Sequence, residues 1–186
     1  MAGQYQGLPD DLPVPIDDGA CDHLPGTMLP QLTLESSQGP VSLRTLSLEL
    51  LVLYVYPQAG RPGRPSPEGW DQIPGARGCT PQSLGFRDAA ERFQGLGALV
   101  AGLSAQSLDD QLEFAERNEI PYPLIADPEL KLAAALQLPT FEVEGQTLYK
   151  RLALVAEACA IAKVFYPVFP PDENAGEVLA WLEARR

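Results

Sequence analysis

Histidine is nearly absent from this sequence and cysteine is scarce, since the 186 residues contain one histidine and three cysteines. The single imidazole of His23 excludes metal motifs that need two histidines, such as His-Glu-x-x-His. It also leaves any Ser-His-Asp or Cys-His mechanism with one candidate base. The cysteines, at positions 21, 79 and 159, are too far apart for a C-x-x-C pair. The sequence therefore contains neither a zinc knuckle nor a dithiol motif of that kind.

Positive charge is also scarce, because 13 Lys and Arg residues stand against 25 Asp and Glu residues and give a formal net charge of -12. Such a surface repels nucleic acid and anionic membranes, so we expect neither as a partner. No run approaches the roughly 20 apolar residues of a membrane helix, and the N-terminus lacks the charged and apolar regions of a signal peptide. Together with the low, odd cysteine count, these features predict a cytoplasmic protein.

The length suits one domain, and the composition divides the chain near its start. Residues 1–30 contain five prolines and five aspartates with no lysine or arginine, which indicates an extended, acidic segment. We therefore predict a flexible arm over residues 1–28 and one folded domain over residues 29–186.

The hydrophobic pattern of the domain predicts an α/β fold, with a mixed central sheet, helices on both faces and an N-terminal hairpin. The predicted order is a hairpin at 32–43, a buried strand at 48–56, a helix from Cys79 to Gly95, a strand at 98–104, a helix from Ser107, a short strand at 122–126, a helix at 129–138, two strands within 148–169 that turn near 157–159, and a last helix capped by Asn174.

Residues 57–81, with six prolines and five glycines, predict a long loop, and long loops in compact domains are usually functional. The loop begins at the end of the central strand, where open α/β sheets bind their ligands. It ends at Gly78-Cys79-Thr80, where a helix begins whose free N–H groups and dipole favour a thiolate.

Local charge also favours a reactive thiolate at Cys79. Residues 57–87 contain four arginines against two acidic residues; these are Arg61, Arg64, Arg77 and Arg87 against Glu68 and Asp71. Cys79 is therefore the candidate nucleophile. The alternative is an inert, buried cysteine, which is the commoner environment of a free thiol.

Several segments, taken in order, resemble the peroxiredoxins, nearest the bacterioferritin-comigratory or PrxQ-like branch, from about Leu29 to the C-terminus. They are Leu51-Val-Leu-Tyr-Val-Tyr-Pro57, Gly78-Cys79-Thr80, Phe86-Arg87-Asp88, Gly102-Leu-Ser104 and Pro123-Leu-Ile-Ala-Asp127. The resemblance implies a thioredoxin-like fold and a thiol peroxidase with no metal and no organic cofactor. It identifies Cys79 as the peroxidatic cysteine and Arg151 as the arginine that holds thiolate and peroxide. Backbone N–H groups from Thr80 onward supply further donors.

The sequence also departs from the family pattern. The family places Pro seven residues and Thr or Ser three residues before the peroxidatic cysteine, where this chain has Gln72 and Ala76. Thr80, Ser83 or a group from the long loop would have to replace the missing hydroxyl. The branch often has a resolving cysteine five residues after the first, but here that position is Leu84, so an intrahelical disulfide is impossible.

Two cysteines remain as candidate resolving residues. Cys21 belongs to the predicted flexible arm, and Cys159 belongs to a predicted hairpin turn, where we expect it to be exposed. For both, the interpretation as an unused thiol is favoured, more strongly for Cys159 than for Cys21. The default is then a one-cysteine cycle in which thioredoxin, glutaredoxin or a low-molecular-weight thiol is the reductant.

The expected activity is reduction of hydrogen peroxide or small organic hydroperoxides, in a monomer or homodimer. We expect the substrate pocket to be lined by Tyr56, Pro57, Trp70 and Gly78. A second hypothesis is a non-catalytic peroxide sensor or protein-interaction module, since the usual hydroxyl and resolving thiol are missing. A general thiol–disulfide oxidoreductase is disfavoured by the lack of a C-x-x-C pair.

Overall fold

The computed structural model describes residues 7–185, which fold around a five-stranded mixed sheet of order β5-β4-β3-β8-β9. The strands and helices have the following bounds: β1 Thr33–Leu34, β2 Val41–Ser42, α1 Leu43–Leu46, β3 Leu50–Val55, α2 Cys79–Asp88, α3 Ala90–Gly95, β4 Ala98–Ser104, α4 Leu108–Arg117, β5 Leu124–Ala126, α5 Lys131–Leu136, β6 Thr140–Val143, β7 Gln146–Tyr149, β8 Leu152–Glu157, β9 Ala160–Phe165 and α6 Asn174–Glu183. Short 3-10 turns lie at Trp70–Gln72 and Pro171–Glu173.

Strand β3 is central and buried on both faces. It pairs in parallel with β4 and antiparallel with β8. Alternate side chains of a strand point to opposite faces, so Leu51, Leu53 and Val55 join the core beneath α1 and α5. Val52 and Tyr54 join the core beneath α2, α3, α4 and α6. The predicted mixed sheet with helices on both faces is therefore confirmed.

Most predicted elements are present with shifted ends. The predicted turn near residues 157–159 is confirmed, and Ala158 and Cys159 adopt positive φ values of 48° and 66° there. The single helix expected from Cys79 to Gly95 is instead two helices, because the backbone leaves helical geometry at Ala89. The hairpin β6–β7 was not predicted, although polar and apolar residues alternate in Thr140–Val143 and Gly145 marks the turn that follows.

Asn174 is not the cap of the last helix. It is the first residue of α6, the preceding cap position is Glu173, and no side-chain cap hydrogen bond is made there. The Asn174 side chain is buried and accepts a hydrogen bond from Gln82 instead.

The end of the predicted arm packs on the domain. Leu24 and Leu29 are fully buried in the core, and the backbone of Gly26 donates a hydrogen bond to the carbonyl of Ile161 in β9. The division at residues 28 and 29 stays a prediction, but the segment just before it is held by the sheet edge. Within residues 7–185, no helix combines the length and apolar character needed to cross a membrane.

Candidate active site

Cys79 is the first residue of α2, at the edge of the sheet where β3 ends. The preceding Gly78 has φ 111°, a left-handed conformation that favours glycine. The first intrahelical hydrogen bond runs from the N–H of Gln82 to the carbonyl of Gly78. The N–H groups of Cys79 and Thr80 are therefore among the donors that an α-helix leaves without an intrahelical acceptor.

The sheet register brings Arg151 to the same edge. Leu152, the first residue of β8, pairs with Val55, the last residue of β3, so Arg151 stands beside the end of the central strand. Its Nη2 atom lies 3.2 Å from the Sγ atom of Cys79. Both residues are only 3% exposed. The structure thus brings together two residues that are 72 positions apart in the sequence.

The guanidinium of Arg151 is held almost entirely by neutral acceptors. It donates to the carbonyls of Gly75 at 3.2 Å and Ala76 at 2.9 Å, and to Oε1 of Gln82 at 2.5 Å. Within residues 7–185 it forms no ion pair with a carboxylate. A buried charge is costly unless an opposite charge lies beside it, and among the hydrogen-bond partners of Arg151 within residues 7–185 the one ionisable group is the Cys79 thiol.

The local arginines counted in the sequence do not supply this charge. Arg61 and Arg64 pair with Asp109 and Asp110, Arg77 pairs with Asp71, and Arg87 pairs with Asp88. Each of these positive charges is therefore largely balanced by a nearby carboxylate. The prediction that these four arginines make the surroundings of Cys79 positive was wrong, because a count along the chain does not show which arginines form ion pairs.

A pocket of about 380 Å³ opens on Cys79. Trp70, Gly78 and Thr80 line it as expected, together with Gln58, Ser66, Arg77 and the N-terminal residues Gly7 and Leu8. Tyr56 and Pro57 do not line it, and that prediction was wrong. The N–H of Tyr56 bonds to the carbonyl of Leu103 beyond the end of β3. Its fully buried hydroxyl donates to Gln111 of α4 at 2.6 Å, so the ring stays in the core.

The Ala76 position, where the family pattern has a hydroxyl, lies in an apolar cluster. Ala76 and Trp70 are buried against Val143 and Leu148 of the β6–β7 hairpin. Among the groups expected to replace the hydroxyl, Thr80 lines the pocket and Ser83 is fully buried outside it. Ser66, from the long loop, also lines the pocket. No group of three or more His, Cys, Asp or Glu residues among residues 7–185 is placed to hold a metal ion.

Comparison with known proteins shows what this chain is similar to. The Redoxin family model matches residues 24–179. Chloroplastic peroxiredoxin Q of Sedum lineare is 30% identical over 161 residues, which cover 86% of this chain and 77% of that protein. The crystal structure of peroxidoxin BcpB from Mycobacterium tuberculosis superposes with a TM-score of 0.71 at 28% identity, over 88% of this chain and 99% of that chain.

This chain is a peroxiredoxin. It belongs to the PrxQ branch, has the thioredoxin-like fold and is a thiol peroxidase. Chloroplastic peroxiredoxin Q of Arabidopsis thaliana is a further relative, 28% identical over 160 residues that cover 86% of this chain and 67% of that protein. Peroxide is thus the oxidant of the family reaction and a thioredoxin-like thiol is the reductant.

The other two cysteines of this peroxiredoxin are both buried, so the prediction that Cys159 is exposed was wrong. Cys21 packs in the core on the opposite face of the sheet from Cys79. Burial and the nearby Asp18 raise the pKa of Cys21 to about 12. Cys159 lies in the β8–β9 turn, but Ser47 and Arg44 cover it: its N–H bonds to the Ser47 carbonyl and its Sγ lies 3.5 Å from the Arg44 carbonyl.

Gln82 is the site residue that sequence reasoning missed. Its Oε1 accepts from Arg151, and its Nε2 donates to Oδ1 of Asn174 at 2.9 Å. Gln82, Arg151 and Asn174 are all buried, so these bonds fix the guanidinium against α2. The available signal was position: Gln82 lies three residues after Cys79, and residues three apart share one face of a helix.

Proposed function

We propose that Cys79 is the peroxidatic cysteine and that Arg151 stabilises both its thiolate and the bound peroxide. The observation that carries this proposal is the 3.2 Å contact between Arg151 Nη2 and Cys79 Sγ. This contact supports the proposal because the Arg151 guanidinium is buried and has no carboxylate partner among residues 7–185.

The chemistry follows from this arrangement. The Cys79 thiolate attacks the terminal oxygen of the hydroperoxide, an S–O bond forms and the O–O bond breaks. Sulfur is oxidised to sulfenic acid, and the peroxide is reduced to an alkoxide or hydroxide, which takes a proton from solvent to leave as alcohol or water. Arg151 and the N–H groups of Cys79 and Thr80 are the donors for the charge that moves onto oxygen.

Thr80 is our candidate for the hydroxyl that Ala76 does not provide. It lines the pocket in the first turn of α2, directly after Cys79. Polar groups of Thr80, Ser66 and Gln58 beside the apolar side chains of Leu8 and Trp70 suit hydrogen peroxide and small organic hydroperoxides. These are the substrates that we propose.

The cycle closes with an external thiol. Cys21 lies across the sheet from Cys79, and Cys159 lies at the opposite end of β8, because Glu157 pairs with the first residue of β3, Leu50. Six strand residues span about 17 Å, whereas a disulfide requires Cα atoms within about 7 Å. An external thiol therefore condenses with the sulfenic acid and releases water. A second thiol then releases Cys79 as a thiol together with an external disulfide. Thioredoxin, glutaredoxin or a low-molecular-weight thiol fits this role.

Stopped-flow mixing of reduced protein with peroxide tests the proposal. Cys79→Ser is expected to abolish rapid oxidation and sulfenic acid trapping. Arg151→Lys is expected to lower the second-order rate about 10²-fold, because a forked, fixed donor is lost from the transition state. Arg92→Lys is the control; Arg92 pairs with Glu183 on the surface, so its rate should stay within about twofold. Rapid oxidation that survives Cys79→Ser would refute the assignment.

The same oxidised samples test the one-cysteine cycle. Non-reducing mass spectrometry without added thiol should show Cys79 as a sulfenic acid adduct with a trapping reagent. A Cys79–Cys21 or Cys79–Cys159 disulfide as the main product would contradict it.

A cytoplasmic location and a monomer or homodimer also remain our proposals. The three thiols are free, as suits a reducing compartment. Cell fractionation and light scattering of the reduced protein test the two statements separately.

A further inference from the structure

The N-terminal residues 7–18, called the strap below, run past the catalytic site. At one end, Gly7 and Leu8 line the pocket of Cys79. Leu8 Cδ2 lies 3.3 Å from the place where a Cβ would stand on Gly78, directly before the peroxidatic cysteine. Further along, Pro15 carbons lie 3.6 Å from the corresponding place on Gly75, whose carbonyl binds Arg151. The strap therefore runs along the end of the long loop, which precedes Cys79 and binds Arg151 through the Gly75 carbonyl.

The strap is held at one point by charge. Oδ2 of Asp18 lies 2.9 Å from Nζ of Lys150, the neighbour of Arg151. Oδ1 of Asp18 accepts from the Tyr166 hydroxyl at 2.9 Å. The hydrogen bond from Lys150, with that from Tyr166, lowers the pKa of Asp18 to about 2. Among residues 7–18, no backbone hydrogen bond to the rest of the domain is present. Asp18 and the contacts of Pro15 and Leu8 thus set where the strap lies.

We propose that Leu8 is a specificity-determining residue of this peroxiredoxin and that Asp18 is the positioning residue that keeps Leu8 over the pocket. The proposal rests on Cys79 as the peroxidatic residue. With a peroxide oxygen at Cys79, the group bonded to the other oxygen extends into the pocket between Leu8 and Trp70. An alkyl or aryl group buries apolar surface against those two side chains, whereas hydrogen peroxide has no group to place there.

Four variants assayed with cumene hydroperoxide and with hydrogen peroxide test the proposal. Leu8→Ala is expected to lower the ratio of kcat/KM for cumene hydroperoxide to that for hydrogen peroxide about 10-fold, through KM, since the loss of one apolar contact in a pocket costs about 10-fold or more. Asp18→Asn should shift the ratio in the same direction. The matched controls are Val14→Ala and Asp11→Asn, whose side chains are exposed on the same strap and line no wall of the Cys79 pocket. They should leave both values unchanged.

The double variant separates positioning from a general effect. If Asp18 acts by placing Leu8, Asp18→Asn added to Leu8→Ala lowers the ratio no further, because neighbouring effects on one contact do not add. An unchanged or increased ratio in Leu8→Ala, an equal fall for both peroxides, or full additivity in the double variant overturns the proposal. These outcomes concern only the strap: failure of the catalytic assignment is read separately, from peroxidase activity that survives Cys79→Ser.

Discussion

At the scale of single residues, the buried guanidinium of Arg151 connects stability with chemistry. Its donors are met by carbonyls, by Gln82 and by the Cys79 sulfur. Neutral acceptors satisfy hydrogen bonds without cancelling the charge, which in the proposed mechanism leaves that charge available to the Cys79 thiolate. A carboxylate in the same place would compete with the thiolate for Arg151.

Replacement of Gln82 tests how far the function of Arg151 depends on its hydrogen bond to Gln82. Gln82→Ala removes an acceptor from Arg151 and a donor from Asn174, which leaves buried polar groups unpaired. We expect a stability loss of about 1–3 kcal/mol and a fall in kcat/KM of about tenfold, because Arg151 loses its orientation. Thermal unfolding and stopped-flow oxidation measure the two effects.

Gln82→Glu separates the hydrogen bond to Arg151 from the neutrality of its acceptor. It keeps an acceptor for Arg151, and Asn174 has an amide Nδ2 without a partner that can turn to donate to the new carboxylate, so we expect Gln82→Glu to be more stable than Gln82→Ala. Its carboxylate competes with the Cys79 thiolate for Arg151, so peroxide reduction should be at least as slow as in Gln82→Ala. Gln94→Ala, an exposed change on α3, is the control and should be neutral. A Gln82→Glu protein as active as the wild type would contradict the need for a neutral acceptor.

At the scale of elements, the start of α2 decides where the nucleophile stands. Gly78 combines a positive φ with close packing, since a Cβ there would lie 2.5 Å from Cγ of Pro171. Pro171 begins the short 3-10 turn before α6, and Gly85 of α2 also approaches the Asp172 carbonyl. The missing side chains of Gly78 and Gly85 thus allow the 3-10 turn before α6 to pack closely against α2 and the residue before it.

Gly78→Ala is therefore expected to damage both stability and activity. The added methyl group overlaps Pro171, and overpacking of this kind costs about 1–3 kcal/mol; displacement of Cys79 from Arg151 should also slow peroxide reduction. Gly176→Ala in α6 is the matched control, because a Cβ there meets no atom within 4 Å. That change should be neutral or stabilise the helix by about 0.5–1 kcal/mol. Chemical denaturation measures both variants, and a Gly78→Ala protein as stable as the wild type would refute the packing argument.

At the scale of the whole molecule, the tyrosines tie separate elements together through buried hydroxyls. Tyr54 and Tyr122 share a hydrogen bond of 3.1 Å across the core. Tyr149 donates to Asp127 at 2.6 Å beneath α5. Burial is the largest cause that raises the pKa of each tyrosine in residues 7–185; these are Tyr54, Tyr56, Tyr122, Tyr149 and Tyr166.

These shifts predict an alkaline limit to stability. A group whose pKa is raised in the folded state binds its proton more tightly there, so its stabilisation is complete below the unfolded value of about 10 and is lost as the pH rises above it. Stability should thus be retained up to about pH 10 and fall steeply beyond it. Phenolate absorbance from these tyrosines should appear together with loss of helical circular dichroism. Titration of all of them near pH 10 while the protein is still folded would contradict the prediction.

Local chemistry in the sequence was sufficient to predict the alternation of strands and helices, the helix start at Cys79 and the turn at residues 157–159. Each depends on neighbouring residues: apolar periodicity, a glycine before a helix, or strand-forming residues on both sides of a turn. Resemblance to the peroxiredoxins then predicted that Arg151 lies beside Cys79. The three cysteines and the single histidine already excluded two-histidine metal sites and C-x-x-C chemistry.

Tertiary structure alone decided which charges reach the sulfur and which thiols lie within range of it. The four arginines near Cys79 in the sequence are paired by acids, of which Asp109 and Asp110 come from α4. Arg151 instead arrives through the β3–β8 register, and it pairs with no carboxylate within residues 7–185. Cys21 and Cys159 are separated from Cys79 by the thickness and the length of the sheet. Leu8 reaches the pocket from the N-terminal segment, far from Cys79 in the sequence. These are distances in space between residues that only folding brings together, and the order of residues along a chain does not give such distances.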